Sequence, residues 1–175
     1  MSLTTEENNN ISDSNNYFNK TPNNTLLKKA CFYRKYHSHP INILIHIFFV
    51  PLLLWTGLSI SNHIHFSIPL LASIGYGSYY IYLDKLVGTT YLPILFLMYF
   101  TMEKLTLLEA VLIHVLSWIV QISAHKYVEK KSPALLIGFW DALTIAPLFV
   151  WLEIWWFFGY NPIFYKLLKY YSKVE

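Results

Sequence analysis

The stretch YHSHPINILIHIFFVPLLLW, residues 36–55, places three histidines and one asparagine at the start of an otherwise apolar segment. An unpaired polar group at membrane depth costs several kcal/mol, so a segment that only has to lie in lipid excludes such groups. Polar side chains grouped this closely therefore indicate a function at this end of the segment.

The whole chain has the composition of an integral membrane protein. Hydrophobic residues make up 55% of its 175 residues and charged residues 13%, about half the charged share of a typical soluble domain. The mean hydropathy is +0.37. A net charge of only +3 gives no reason to expect a nucleic-acid partner, and the single cysteine, Cys31, excludes an internal disulfide or a thiolate metal cluster.

Three regions of the chain differ in composition. Residues 1–28 are rich in Asn and Ser, with few aliphatic side chains, and predict a disordered tail. Residues 29–165 contain the apolar segments and form the expected membrane catalytic domain, and residues 166–175 form a basic tail. The start of the chain lacks a basic run followed by an apolar run, so we expect no cleaved signal peptide.

Five apolar segments predict an all-α fold, a polytopic membrane helical bundle. The segments are Ile41–Ser61, Phe66–Leu83, Thr89–Met102, Leu105–Ala124 and Ala134–Phe158. A helix needs about 20 residues to cross the hydrocarbon core, so we expect the third segment to be too short to span it alone.

The lysines and arginines predict how the bundle is oriented. They precede the first segment and follow the second and fourth, which by the positive-inside rule places the N-terminus and these two connections in the cytoplasm. Five crossings would then leave the basic C-terminal tail outside. We therefore expect four long helices and a broken or re-entrant hairpin within Ala134–Phe158, bent near Pro147.

Four histidines lie at helical spacing in the first and fourth segments. His39 and His46 are seven residues apart, and His114 and His125 eleven, both close to whole turns of an α-helix. We expect each pair to share a face, and the four to line one cavity if the two helices pack together. His37 lies on a different face of the same helix, so we do not include it in the site.

Three other polar side chains lie within one helical turn of these histidines. Asn42 lies between the first pair, and Gln121 and Glu129 flank His125. We expect them to hold the imidazoles in place. A histidine in a membrane helix can also serve only to hydrogen-bond a neighbouring helix, and that alternative stays open for each one.

Imidazoles with few carboxylates favour Fe, Zn, Cu or Ni over Mg or Ca, and two histidines with one carboxylate are the usual ligands of non-haem Fe(II) oxygenases. The HExxH, GxSxG and Walker motifs are absent from the sequence. Along straight helices, His39 and His46 lie about 10.5 Å apart and His114 and His125 about 16.5 Å. Without a break in a helix the four cannot bind one ion, so either two sites exist or some of the four orient other ligands.

Two sequence blocks and one further stretch resemble the Mpo-like membrane family. The first block, Y-x-x-H-x-x-N-x-x-x-H, contains Tyr36, His39, Asn42 and His46. The second block, H-x(6)-Q-x-x-x-H-x-x-x-E-x-x-x-P-A, contains His114, Gln121, His125, Glu129, Pro133 and Ala134. The stretch APLFVWLEIWWFFGYNP belongs to the same resemblance, which covers residues 33–162.

This resemblance implies an Fe(II)-dependent dioxygenase that converts a 2-hydroxy fatty acid and O₂ into a fatty acid one carbon shorter. Together with the helical spacing, it makes His39, His46, His114 and His125 the candidate metal and catalytic residues, at the cytoplasmic end of the bundle. In fungi it implies a role in phytosphingosine breakdown at the endoplasmic reticulum. The sequence itself leaves the membrane open: we expect the endoplasmic reticulum if the host is a eukaryote and the inner membrane if it is a bacterium.

The chain departs from the family pattern at two positions. Ala124 stands where many members have Gly, and Ile137 stands where many have Asp soon after Pro-Ala. Position 137 therefore cannot supply an indispensable metal ligand in this chain. The main alternative is a non-catalytic membrane scaffold or a small transporter, whose histidines would line a path for protons or metal ions. The sequence leaves the oligomeric state and the preferred acyl length open.

Overall fold

The computed structural model describes residues 24–132 and 138–174. Within these ranges every regular element is a helix and no strand occurs, which confirms the predicted all-α class. The described part of the chain has seven α-helices: α1 (Asn24–Tyr36), α2 (Pro40–Ile64), α3 (Ser67–Leu83), α4 (Lys85–Thr101), α5 (Leu107–Ala124), α6 (Phe139–Phe157) and α7 (Pro162–Val174).

Parts of the predicted terminal tails are helical. Residues 24–28 belong to α1, and residues 166–174 belong to α7, which packs against α1. The rest of the predicted N-terminal tail lies outside the described residues, as do Pro133, Ala134 and Ile137.

Within the described residues, three segments are long and apolar enough to cross a membrane: Pro40–Ile64, Lys85–Lys104 and Leu107–Glu129. The second of them corrects our expectation that this part of the chain is too short. Its helix begins at Lys85 because the carboxylate of Asp84 caps it, accepting a hydrogen bond from the backbone N–H of Val87 at 3.0 Å. A 3₁₀ turn, Met102–Lys104, lengthens its other end.

α6 is one continuous helix that passes through Pro147. The structure therefore has no hairpin between Phe139 and Phe157, where we expected one. A proline inside a helix leaves the carbonyl four residues earlier without its N–H donor, and here that carbonyl belongs to Leu143. The hydroxyl of Tyr76 on α3 donates to the Leu143 oxygen at 3.3 Å, so a neighbouring helix supplies the missing hydrogen bond.

α2 and α5 pack against each other along their length. They run in opposite directions, since the start of α2 meets the end of α5, where the ring centroids of His46 and His125 lie 4.9 Å apart. α3 and α4 are also closely packed, because Gly88 faces the backbone of Tyr80, where an added Cβ would collide. α1, α6 and α7 share a hydrophobic core beside these pairs. The α1–α2 connection thus lies at the same end of the bundle as the end of α5.

Candidate metal centre

A break in the helical path at residues 37–39 decides which histidines face inward. α1 ends at Tyr36 and α2 begins at Pro40. A proline disfavours helical backbone in the residue before it, and His39 is extended, with φ −78° and ψ 128°. His37 is only 3% exposed, whereas His39 is exposed and caps α2, its Nδ1 accepting from the N–H of Ile41 at 3.2 Å. The inward position that we expected for His39 therefore belongs to His37.

Three buried imidazoles meet at this end of the bundle. One ring nitrogen from each of His37, His46 and His125 lies within 4.8 Å of the others, a group that could hold a metal ion. The ring centroids are 4.4, 4.6 and 4.9 Å apart. Burial, together with repulsion from the rings of His46 and His125, holds the pKa of His37 well below its usual value. The His37 ring is therefore neutral at physiological pH, as a metal ligand must be.

Hydrogen bonds to the backbone leave a lone pair free on two of these rings. Nδ1 of His37 lies 2.9 Å from the carbonyl oxygen of Tyr33, and Nδ1 of His46 lies 2.8 Å from that of Asn42. A carbonyl only accepts, so each Nδ1 carries the proton and each Nε2 is unprotonated, as is usual in metal-binding histidines. Nδ1 of His125 is buried and has no hydrogen-bond partner among the described residues. This donor set fits a metal that prefers imidazole, such as iron or zinc.

Glu129 ties the α1–α2 connection to the end of α5. Its carboxylate accepts hydrogen bonds from the backbone N–H groups of Ser38 and His39 at 3.0 and 2.9 Å, and from the Ser38 hydroxyl. Nδ2 of Asn42 also donates to it, at 3.1 Å. The carboxylate is thus occupied in holding the backbone of the connection and the side chain of Asn42, and the metal-binding group within the described ranges consists of histidines alone.

The segment Leu107–Glu129 ends in a π-helical turn, His125–Glu129, which directly follows α5. Such turns are rare and are frequently found at functional sites. His125 and Glu129, at the two ends of this turn, both face the interior, where they are 3% and 8% exposed. Lys130 ends the turn in the left-handed region, with a φ of 58°.

His114 lies on the same helix as His125 but outside the three-histidine group. Its Nδ1 lies 2.8 Å from Oγ1 of Thr56, and its Nε2 accepts a hydrogen bond from Nε1 of Trp118 at 3.1 Å. Both ring nitrogens of His114 are therefore engaged. His114 thus fits the alternative named above, in which a histidine serves to hydrogen-bond a neighbouring helix. The amide of Gln121, which we expected to hold an imidazole in place, donates to the carbonyl of Ser117 at 3.4 Å and lines the same cavity as the three rings.

The structure thus brings together two of the four histidines singled out from the sequence, His46 and His125, and adds His37. The signal that could have identified His37 is Pro40, since helices usually end before the residue that precedes a proline. Our prediction assumed an unbroken helix from residue 36 to residue 46. It therefore placed His39 in the site, where the structure has His37.

A cavity of about 430 Å³ opens from the three-histidine group and follows α2. His46 lines one end, Val50, Leu53 and Gly57 line its length, and Ser61 lines the other end. At 1.5 Å per residue, the path from His46 to Ser61 is about 22 Å long. Most of the wall is apolar, with contributions from α2, α3, α5 and α6. The site therefore combines a polar end with a long apolar interior, a combination suited to an amphipathic ligand.

Comparison with known proteins identifies the family. A family model described as "2-hydroxy-palmitic acid dioxygenase Mpo1-like" matches residues 24–157. The chain is 32% identical over 145 residues to 2-hydroxy-palmitic acid dioxygenase MPO1 of Saccharomyces cerevisiae, and the match covers 78% of this chain and 83% of that protein. No solved structure matches the chain significantly. The chain therefore belongs to the Mpo1-like family, the one that its histidine blocks resemble.

Proposed function

We propose that this protein is an iron-dependent dioxygenase that shortens 2-hydroxy fatty acids by one carbon. The observation that carries the proposal is that the three-histidine group opens directly into the long apolar cavity. Such an enzyme needs both a metal site, where O₂ and the hydroxy acid meet, and a compartment for the acyl chain. The yeast relative, named as a 2-hydroxy-palmitic acid dioxygenase, supports the substrate class.

In the proposed reaction the bond between C1 and C2 of the substrate breaks. C1 leaves as CO₂ and C2 becomes the carboxyl carbon of the shortened acid. The four electrons that these two carbons lose reduce O₂, and one water is formed, so no further oxidant or reductant is needed. Iron, when bound, would supply a site that accepts both O₂ and the two oxygens of a 2-hydroxy acid.

The protein's own residues have two tasks in this proposal. His37, His46 and His125 hold the metal through unprotonated ring nitrogens. Glu129 and Asn42 keep these rings in register, because they fix the α1–α2 connection and the first turn of α2 against the end of α5. Burial of the three rings keeps bulk water from the place where the acid and O₂ would meet.

The proposal also places the reaction in a membrane. The cavity lies beside helices that are long and apolar enough to cross one, so we infer that the substrate enters from the lipid phase. The compartment follows the host: the endoplasmic reticulum in a eukaryote or the inner membrane in a bacterium.

The alternative, a transporter or a scaffold, has less support. A path for protons or metal ions needs polar groups along its length. Most of the cavity wall is instead apolar, and its α2 side between His46 and Ser61 consists of aliphatic residues and one glycine. On the α5 side, His114 has both ring nitrogens engaged by Thr56 and Trp118, and Gln121 donates to the Ser117 carbonyl. This wall suits an acyl chain better than an ion.

The direct test supplies the purified protein with Fe(II), O₂ and 2-hydroxypalmitate and looks for pentadecanoate by mass spectrometry. Palmitate is the matched control substrate, because it lacks only the hydroxyl, and a site built to bind a hydroxyl can reject such an analogue by about 10⁴-fold or more. A chelator should abolish the product. Equal turnover of the two acids, or product formation that survives the chelator, would contradict the proposal.

A pair of variants on α2 links the activity to the histidine group. His46→Ala should lose both bound iron and product. His63→Ala, at the exposed far end of the same helix, should keep both. Iron content is measured by plasma mass spectrometry on the same samples that are assayed.

A further inference from the structure

Gly57 occupies a position on α2 where the cavity wall has free space. It lies in the interior of the helix and lines the cavity. A Cβ added to Gly57 would meet no atom within 4 Å, so no close helix contact requires a glycine there. Glycine destabilises the interior of a helix relative to alanine. What the glycine provides is open volume inside the cavity.

The position of Gly57 can be expressed as a number of acyl carbons. Gly57 lies about 16.5 Å along α2 from His46, and Ser61 about 22 Å, at 1.5 Å per residue. An extended alkyl chain advances about 1.25 Å per carbon, given a carbon–carbon bond of about 1.5 Å and a bond angle of about 111°. A chain anchored at the three-histidine group therefore passes Gly57 near about carbon 13 and Ser61 near about carbon 18.

We propose that Gly57 determines acyl-length specificity by admitting chains longer than about 13 carbons. The inference rests on the proposed function, since the occupant is the acyl chain of the 2-hydroxy acid, with its carboxyl end at the three-histidine group. Two observations identify this occupant. The cavity is continuous with the three-histidine group, and its α2 wall beyond His46 is aliphatic.

The test compares Gly57→Phe with a matched control, Gly75→Phe. Gly75 lies inside α3, is exposed, does not line the cavity, and also has no atom within 4 Å of an added Cβ. Both substitutions replace a helical glycine by the same large side chain, so they differ in whether the ring enters the cavity. Thermal unfolding in detergent establishes that both variants fold.

The two substrates are 2-hydroxypalmitate, with 16 carbons, and 2-hydroxydecanoate, with 10, whose chain ends before Gly57. Gly57→Phe should lower kcat/KM for the longer acid by about tenfold or more, as misfit in an apolar pocket does, and leave the shorter acid unaffected. Gly75→Phe should leave both acids unaffected. In chelator-treated protein, binding of radiolabelled 2-hydroxypalmitate should fall in Gly57→Phe alone, and binding of labelled 2-hydroxydecanoate should persist.

Three results would overturn the assignment of Gly57. The first is an equal loss of kcat/KM for both acids in Gly57→Phe, and the second is no loss for either acid. The third is unchanged acid binding together with loss of co-purified phospholipid, which would show that a membrane lipid tail fills the cavity. If the wild type turns over neither acid, the proposed function fails. The binding measurement then decides separately: selective loss of the longer acid supports the role of Gly57, and equal binding overturns it.

Discussion

Nδ2 of Asn42 donates a hydrogen bond to the carboxylate of Glu129 at 3.1 Å, and this contact joins the first turn of α2 to the end of α5 across 87 positions of sequence. The same carboxylate accepts the backbone N–H groups of Ser38 and His39. The placement of His37 therefore depends on the buried carboxylate of Glu129, which does not belong to the three-histidine group.

Glu129→Ala should weaken iron binding by about 10–100-fold, the usual effect of removing a group that orients metal ligands. The backbone donors of Ser38 and His39 would lose their acceptor, so the α1–α2 connection would no longer be held against the end of α5. Iron titration of the purified protein measures the affinity. Glu109→Ala is the control, because Glu109 also accepts a backbone N–H but is exposed at the start of α5. Wild-type affinity in Glu129→Ala would show that the carboxylate does not position the site.

His37→Ala should abolish iron binding, whereas His39→Ala should leave it intact. His37 belongs to the buried group, so its loss should abolish iron binding. His39 caps α2 from an exposed position, so its loss should cost about 1 kcal/mol of stability and leave the iron content unchanged. Iron content per protein, measured on both variants after purification, gives the answer. Loss of iron in His39→Ala with retention in His37→Ala would restore the assignment made from helical spacing.

His114→Ala should keep iron and lose stability. The substitution leaves Nε1 of Trp118 without its acceptor, and an unpaired donor of this kind costs about 1–3 kcal/mol. Denaturant unfolding measures the free energy, and iron content is determined in parallel. Loss of iron in His114→Ala would make His114 a ligand, contrary to its engaged ring nitrogens.

Tyr76→Phe should destabilise the protein more when Pro147 is present than when it is replaced. The Tyr76 hydroxyl donates to the Leu143 carbonyl, which Pro147 leaves without a helical donor, and such a hydrogen bond is worth about 0.5–1.5 kcal/mol. In a Pro147→Ala background the restored N–H should bond that carbonyl, so the cost of Tyr76→Phe should shrink. A double-mutant cycle on unfolding free energies measures this coupling. Equal costs in both backgrounds would mean that the hydroxyl does not replace the missing donor.

The helical segments could be predicted because a long apolar segment in lipid must hydrogen-bond its own backbone, and a helix does this within the segment. Their ends depended on single residues. Asp84 caps α4 and lengthens it toward the preceding helix, a local signal that hydropathy does not weigh. The continuity of α6 could not be predicted, because the donor that compensates for Pro147 is Tyr76, a residue far away in sequence.

The candidate site could be predicted in part for a similar reason. His46 and His125 lie on long helices, where regular spacing keeps side chains on one face. His37 lies in a connection of three residues, where each backbone dihedral redirects the next side chain. The contacts of Glu129 with that connection fix its path, and long-range contacts of this kind are not encoded in any helical period.

The three imidazoles come from the α1–α2 connection, from α2 and from the end of α5. An ion shared by all three would act as a removable crosslink between parts of the chain that are distant in sequence. By mass action, free metal at 100 times its dissociation constant would raise the free energy of unfolding by about 2.7 kcal/mol. Under the proposed function, iron supply would then set how much of this protein survives in the membrane as well as how fast it works, and a cell short of the metal would lose the protein to degradation along with its activity.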